Sequence, residues 1–104
     1  MSNPLFSIGS IVSTPGALEA LNEAGPDTYM ELLRRHVTGD WGEVCKEDAK
    51  ENDFSVEHGF RILSAYSLKT GVKVWIITEA DRSATTLLLP EEYCWRRRVH
   101  SNSR

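Results

Sequence analysis

Gly59-Phe-Arg-Ile-Leu-Ser-Ala-Tyr-Ser-Leu-Lys-Thr-Gly-Val-Lys-Val-Trp-Ile-Ile-Thr-Glu-Ala-Asp-Arg-Ser-Ala-Thr-Thr-Leu-Leu-Leu-Pro-Glu-Glu-Tyr93 decides the fold of this chain. Phe60, Ile62, Ser64 and Tyr66 alternate with Arg61, Leu63, Ala65 and Ser67, the period of two that a strand imposes, and both faces are partly apolar. Lys69-Thr70-Gly71 has the chemistry of a hairpin loop. Val72, Val74, Ile76 and Thr78 then share one face, with Lys73, Trp75, Ile77 and Glu79 on the other. Apolar residues on both faces predict a central strand covered on both sides, with Trp75 in the core. After the polar turn Glu79-Ala80-Asp81-Arg82-Ser83, Thr85 to Leu89 forms a third strand. Pro90 stops it, because proline donates no ladder hydrogen bond.

Upstream, Leu5 to Ser13 is rich in apolar and β-branched residues and reads as a short strand or an extended segment. Thr14-Pro15 is a helix start, a hydroxyl cap followed by proline at the first helical position. Ala17, Leu18, Leu21 and Ala24 recur at helical spacing until Gly25. Pro26 opens a second helix in which Tyr29, Leu32, Leu33 and Val37 share a face, and Gly39 supplies its exit. Gly39-Asp40-Trp41-Gly42 is a tight turn with an indole at its tip. Residues 43–57 carry six carboxylates against Lys46 and Lys50, and predict a short acidic helix over about 46–53. The expected fold is α+β: two N-terminal helices and the acidic helix packed on a small antiparallel meander.

One domain over residues 1–94 accommodates a single core, with 95–104 as a basic tail. The longest apolar run, Leu87-Leu88-Leu89, is far too short to span a bilayer, and no signal peptide is evident. Cys45 and Cys94 lie far apart, so the expectation is a cytoplasmic protein with both thiols reduced. The net charge of −3 hides an asymmetry: fifteen carboxylates against eight Lys and Arg leave residues 1–94 at about −7, while the tail holds Arg96, Arg97, Arg98 and Arg104 and no acid. Trp95-Arg-Arg-Arg-Val-His100 interleaves an aromatic with cations, which suits nucleic acid.

Asp40, Glu79, Asp81, Arg82, Ser83, His36, His58 and Arg61 are the polar candidates for chemistry. In a nuclease, His36 or His58 would shuttle protons, Arg61 or Arg82 would stabilise a developing phosphorane, and Ser83, Thr85 or Thr86 would orient the scissile phosphate. That chemistry requires one residue of each kind to converge. His36 sits in the last turn of its helix, where it also serves the helix dipole, and Asp81-Arg82 equally serves as a structural turn pair. Cys45, His58, Cys94 and His100 lack the close pairing of zinc sites, so neither metal nor cofactor is expected. Gly39 to Gly42 is not followed by Lys-Ser/Thr, and Gly-x-Ser-x-Gly is absent. An exposed Trp41 would suit a protein-contact anchor.

Arg35-His36-x-x-Gly39-Asp40-Trp41-Gly42, then Asp48 and Asn52, Gly59-x-Arg61-Ile-Leu-Ser64-x-Tyr66 and Trp75-Ile-Ile-Thr-Glu-Ala-Asp-Arg-Ser-x-Thr-Thr-x-Leu-Leu-Pro-Glu-Glu-Tyr93 fall in one order. That order resembles a family of small proteins carried by plasmids, phages and integrated mobile elements. The resemblance covers roughly residues 34–93 and supplies no catalytic residue. It implies a non-catalytic inhibitor of a host defence complex, CRISPR or restriction, with a host protein or nucleoprotein as partner. Asp40, Trp41, Glu43, Glu47, Asp48, Glu51, Asp81 and Arg82 are then the candidate contact residues, competing for a basic nucleic-acid groove. Two alternatives from other classes are a small metal-independent RNase of toxin type and a nucleic-acid-binding accessory protein that uses Arg96, Arg97 and Arg98.

Overall fold

The computed structural model describes residues 3–93, and the basic tail with Arg96, Arg97 and Arg98 lies outside them. Within them the alternation over 60–89 builds β2 (Ile62–Ser67), β3 (Lys73–Thr78) and β4 (Ala84–Leu88) as the expected antiparallel meander. Ile62 stands opposite Thr78, and Thr78 opposite Thr85. The meander is not the whole sheet. β1 (Ser10–Ser13) joins the far side of β4 in parallel, Ile11 opposite Thr85, so the order is β1-β4-β3-β2 and the sheet is mixed. A parallel neighbour needs a long crossover, and everything from the first helix to β3 supplies it. Close approach also sets this pairing: a Cβ on Gly9 would lie 2.4 Å from the Ser83 carbonyl oxygen.

The helices are α1 (Pro15–Ala24), α2 (Thr28–Val37) and α3 (Lys46–His58). Thr14 caps α1 as read, its hydroxyl accepting from the Ala17 amide at 3.2 Å. α2 opens two residues later than Pro26 implied, with Asp27 at its cap. α3 runs five residues past the predicted end, to a left-handed Gly59. Glu47 and Asp48 lie at the positive end of its dipole and His58 at the negative end, an arrangement that favours the longer helix.

Side chains at Ile62, Ser64, Tyr66, Val74, Ile76, Thr78, Thr85 and Leu87 share one face of the sheet, by register. α1 and α2 cover it with Ala17, Leu21, Ala24, Leu32 and Leu33, all at 4 % exposure or less. Each fully buried Leu, Ile or Val contributes about 1.5–3 kcal/mol, so this layer dominates folding. The opposite face carries Leu63, Ala65, Trp75, Ile77 and Leu88. Trp75 is partly buried there, its ring edge-to-face with Tyr93 at 5.1 Å. Glu92 fastens the same C-terminal turn to the start of α1, accepting from the Thr14 hydroxyl and the Leu89 amide.

The outer edge of β2 is closed without a fifth strand. The Ala65 amide donates to the Trp41 carbonyl at 3.1 Å, and the Glu43 amide donates to the Ala65 carbonyl at 2.7 Å. Gly42 makes that approach achievable, since a Cβ there would lie 1.9 Å from the Ala65 oxygen. Two residues earlier, the Asn52 carboxamide donates to the Leu63 carbonyl at 2.7 Å and accepts from the Leu63 amide at 3.1 Å. A side chain of α3 thus imitates a neighbouring strand, and the exposed ladder that invites aggregation is blunted. Asn52→Ala should orphan both Leu63 groups. At the lower end of about 1–3 kcal/mol for each unpaired group, since Leu63 is only partly buried, urea unfolding should show a loss of about 2 kcal/mol, whereas Asn22→Ala at an exposed position of α1 should be near neutral.

Candidate functional site

His36 does not reach solvent. It is 0 % exposed, at the end of α2 against the sheet. Its Nδ1 lies 2.6 Å from the Ser64 hydroxyl and its Nε2 2.8 Å from that of Thr78. Thr78 in turn lies 2.8 Å from Thr85, whose hydroxyl donates to the Ile8 carbonyl at 2.8 Å. A carbonyl only accepts, so that last bond fixes the direction as far as Nε2, and in a neutral ring Nδ1 is then the acceptor. Thr85 donates to Ile8 and accepts from Thr78, Thr78 accepts from Nε2–H, and Nδ1 accepts from Ser64. His36 is therefore the neutral Nε2–H tautomer. Burial, with the positive charge of Arg82 second, lowers its pKa from 6.5 to about 3. Phe6 and Trp41 seal the ring, with edge contacts to it at 5.2 and 6.0 Å. A proton shuttle needs access and a pKa near the working pH, and His36 has neither.

Arg82 is equally committed. It holds a left-handed φ of 62°, rare for a residue other than glycine. Its Nη1 donates to the carbonyls of Phe60, Glu79 and Ala80 at 2.8, 3.1 and 3.3 Å, and its Nη2 to that of Ser55 at 2.8 Å. The guanidinium therefore caps the C-terminal turn of α3 and ties it to the β3–β4 turn. Asp81 closes the same turn by accepting from the Ser83 amide at 3.0 Å, and hydrogen bonds from Ser83 hold its carboxyl below the usual range. Ser83 itself is exposed. Arg61 lies apart, on the opposite face of the sheet from Ser64 and His36. His36, Arg61, Arg82 and Ser83 do not meet on one accessible surface; of the alternatives, Thr85 is buried in the same hydrogen-bonded chain as His36 and His58 is exposed on α3.

The candidate contact residues also separate. Trp41 is 6 % exposed, stacked on Phe6 at 6.2 Å and donating to Asp53 at 3.1 Å, so the exposed indole expected at that turn is instead core. Asp40 pairs with Arg35 at 2.7 Å, and that hydrogen bond lowers its carboxyl pKa. Glu43 accepts from Ser67 at 2.9 Å and pairs with Lys73 at 3.2 Å; its pKa is lowered by both, Ser67 first. Glu47, Asp48 and Glu51 remain exposed on α3, with no ion-pair partner among the described residues.

Asp48 and Glu51 line a groove of about 610 Å³ between α3 and the ends of β2 and β3. Asn52 and Ser55 lie along its α3 side, and Phe60, Arg61, Leu63, Glu79 and Ala80 complete its lining. Three carboxylates against one guanidinium leave the lining formally at −2. Beside it Phe54 and Phe60, each 54 % exposed, stack nearly parallel at 5.8 Å, and Phe54 also stacks on His58 at 4.0 Å. Sequence reading misses this aromatic ladder. Its one signal is the i, i+4 spacing of Phe54 and His58 on a helix too polar to bury them. Among the described residues, no group of His, Cys, Asp and Glu has the arrangement of a metal site.

The sign of the pH dependence follows from the depressed His36 pKa. Between about 3 and 6.5 the unfolded chain binds a proton that the folded chain refuses. The contribution is complete above 6.5 and is lost as pH falls toward 3, by up to about 1.4 kcal/mol per pH unit. Urea midpoints should drop between pH 6.5 and about 5, and His36→Gln should flatten that slope at lower overall stability. Arg82→Ala should cost about 2–3 kcal/mol through the freed carbonyls, with any loss of activity tracking the fraction unfolded in circular dichroism. In comparison with known proteins, the chain matches no family model, no curated protein and no solved structure.

Proposed function

We propose that this chain is a mobile-element-encoded, non-catalytic interaction protein. Its target in this reading is a basic, nucleic-acid-binding surface of a host defence complex of the CRISPR or restriction type. The observation that carries the reading is a helix that is displayed rather than packed. Of the thirteen residues of α3 only Asn52 and Ser55 are buried. Polar contacts through Asn52, Asp53 and the Ser55 carbonyl hold the helix, so Glu47, Asp48 and Glu51 are free for a partner. Glu47, Asp48 and Glu51 point to the contact chemistry, a negative surface matched to a positive one. Phe54 and Phe60 beside them add apolar area of the kind that anchors an interface. The toxin-type nuclease has less support, because His36 and Arg82 are occupied in the scaffold. No described helix is long and apolar enough to cross a membrane.

Affinity capture of the tagged chain from host lysate, with and without nuclease treatment, tests the reading. A stoichiometric protein that survives nuclease is the expected result. Recovery of nucleic acid alone, lost on nuclease treatment, overturns it. Reversing charge at Glu47, Asp48 and Glu51 together should weaken capture at least about tenfold, as loss of matched charges at an interface does. The same variant should stay folded, losing about 0.3–1 kcal/mol at each of Glu47 and Asp48 where the helix dipole favours an acid, because these side chains make no hydrogen bond or ion pair among the described residues.

A further inference from the structure

The two edges of the sheet are built differently. On β2 the outer groups of Leu63 and Ala65 are taken by Asn52, Trp41 and Glu43. β1 forms the other edge, and no described residue covers it in this way. The Ser10 amide donates to the Ser83 carbonyl and the Thr14 amide to the Leu87 carbonyl, each at 3.0 Å. Backbone groups of successive strand residues point to opposite sides, so Ser10, Val12 and Thr14 address β4. The amides and carbonyls of Ile11 and Ser13 therefore point outward. Ile11 and Val12 themselves are 40 % and 49 % exposed. Proteins blunt such edges with shortness, charge or proline. β1 is short, but it holds neither charge nor proline, and the chain has no Asp, Glu, Lys or Arg before Glu19.

We propose that β1 pairs antiparallel with β1 of a second copy of this chain, across a two-fold axis at Val12. Three observations make a second copy the occupant. The outward residues Ile11 and Ser13 lie symmetrically on either side of Val12. Under the two-fold, Ile11 of each copy exchanges amide and carbonyl bonds with Ser13 of the other, and Val12 stands opposite its own counterpart. Charge gives the second reason. Residues 1–94 carry about −7, so two copies repel over most of their surface and meet with least repulsion at the uncharged run ahead of Glu19. The third is closure: with the β2 edge already taken, pairing through β1 leaves no open edge, and assembly stops at two. One short strand per copy buries far less than the ~800 Å² per partner of a stable dimer, so the expected dissociation constant is about 0.1–1 mM.

Sedimentation equilibrium of the full chain from about 0.02 to about 2 mM, a range that brackets that constant, tests the proposal. The average mass should rise from 11.7 kDa toward twice that value. Val12→Lys and Val12→Glu should each weaken association at least about fivefold, by setting like charges face to face, with the circular dichroism of the parent. Mixing the two variants should restore association, because Lys then faces Glu. A variant that had merely unfolded would gain nothing from the mixture. Raising salt from about 0.05 M to about 0.5 M should strengthen association of the parent as its acidic bodies are screened. Charge-driven capture through α3 responds in the opposite sense, so the two readings fail separately. A chain that stays monomeric throughout, a dimer that Val12→Lys leaves intact, or a mixture no tighter than either variant alone overturns the proposal.

Discussion

The hydrogen-bonded chain Ser64–His36–Thr78–Thr85–Ile8 is the constraint on which the other contacts depend. It joins α2, three strands and the N-terminal segment through side chains that are all buried except at the final carbonyl. Each inner member has one partner on each side and one direction of donation. A buried hydroxyl or imidazole without its partner costs about 1–3 kcal/mol, so removing any link penalises its neighbours too. An apolar layer of equal volume would tolerate sliding. This one admits a single register between Ile62, Thr78 and Thr85 and a single position for the end of α2.

The same logic operates at α3, where most of the partners are backbone groups. A helix with two buried residues gains little from the hydrophobic effect. Asn52 on the Leu63 amide and carbonyl, Arg82 on the Ser55 carbonyl and Asp53 on the Trp41 indole hold it instead. Such contacts fix position and leave composition free. Phe54, Glu47, Asp48 and Glu51 can therefore vary with a partner while the scaffold stays the same, which a packed helix would not allow.

How much of this was legible in the sequence depends on the range over which each cause acts. Alternation over residues 60–89 and the Thr14-Pro15 cap are local, and the meander and the start of α1 follow from them. β1 is four residues long and its partner lies more than seventy positions away, so its parallel pairing leaves no local trace. His36 shows the limit most clearly. Its place at a helix end suggests a dipole partner or a proton shuttle. Its actual partners stand 28 and 42 residues downstream, on strands whose inward hydroxyls look like ordinary sheet threonines and serines. Trp41 misleads for a related reason. A turn between acids reads as exposed, but the turn is pressed against β2 by Gly42 and the indole has nowhere to go but inward.

These placements bear on function by subtraction. Of the polar residues that suggest chemistry, His36, Arg82, Asp81 and Asp40 are each occupied by a contact the fold needs. Among the candidate contact residues, Glu47, Asp48 and Glu51 of α3 remain unoccupied, beside the groove that Asp48 and Glu51 share with Arg61 and Glu79 and the ladder of Phe54 and Phe60. A catalytic site concentrates perturbed groups in a sheltered cleft. Here the strongest perturbation, at His36, is sealed in the core, and the open groove is lined by carboxylates on a solvated surface. Shelter and charge lie in different parts of the molecule. That division suits recognition, where a rigid interior holds a charged exterior in shape, better than it suits a reaction, which needs both in one place.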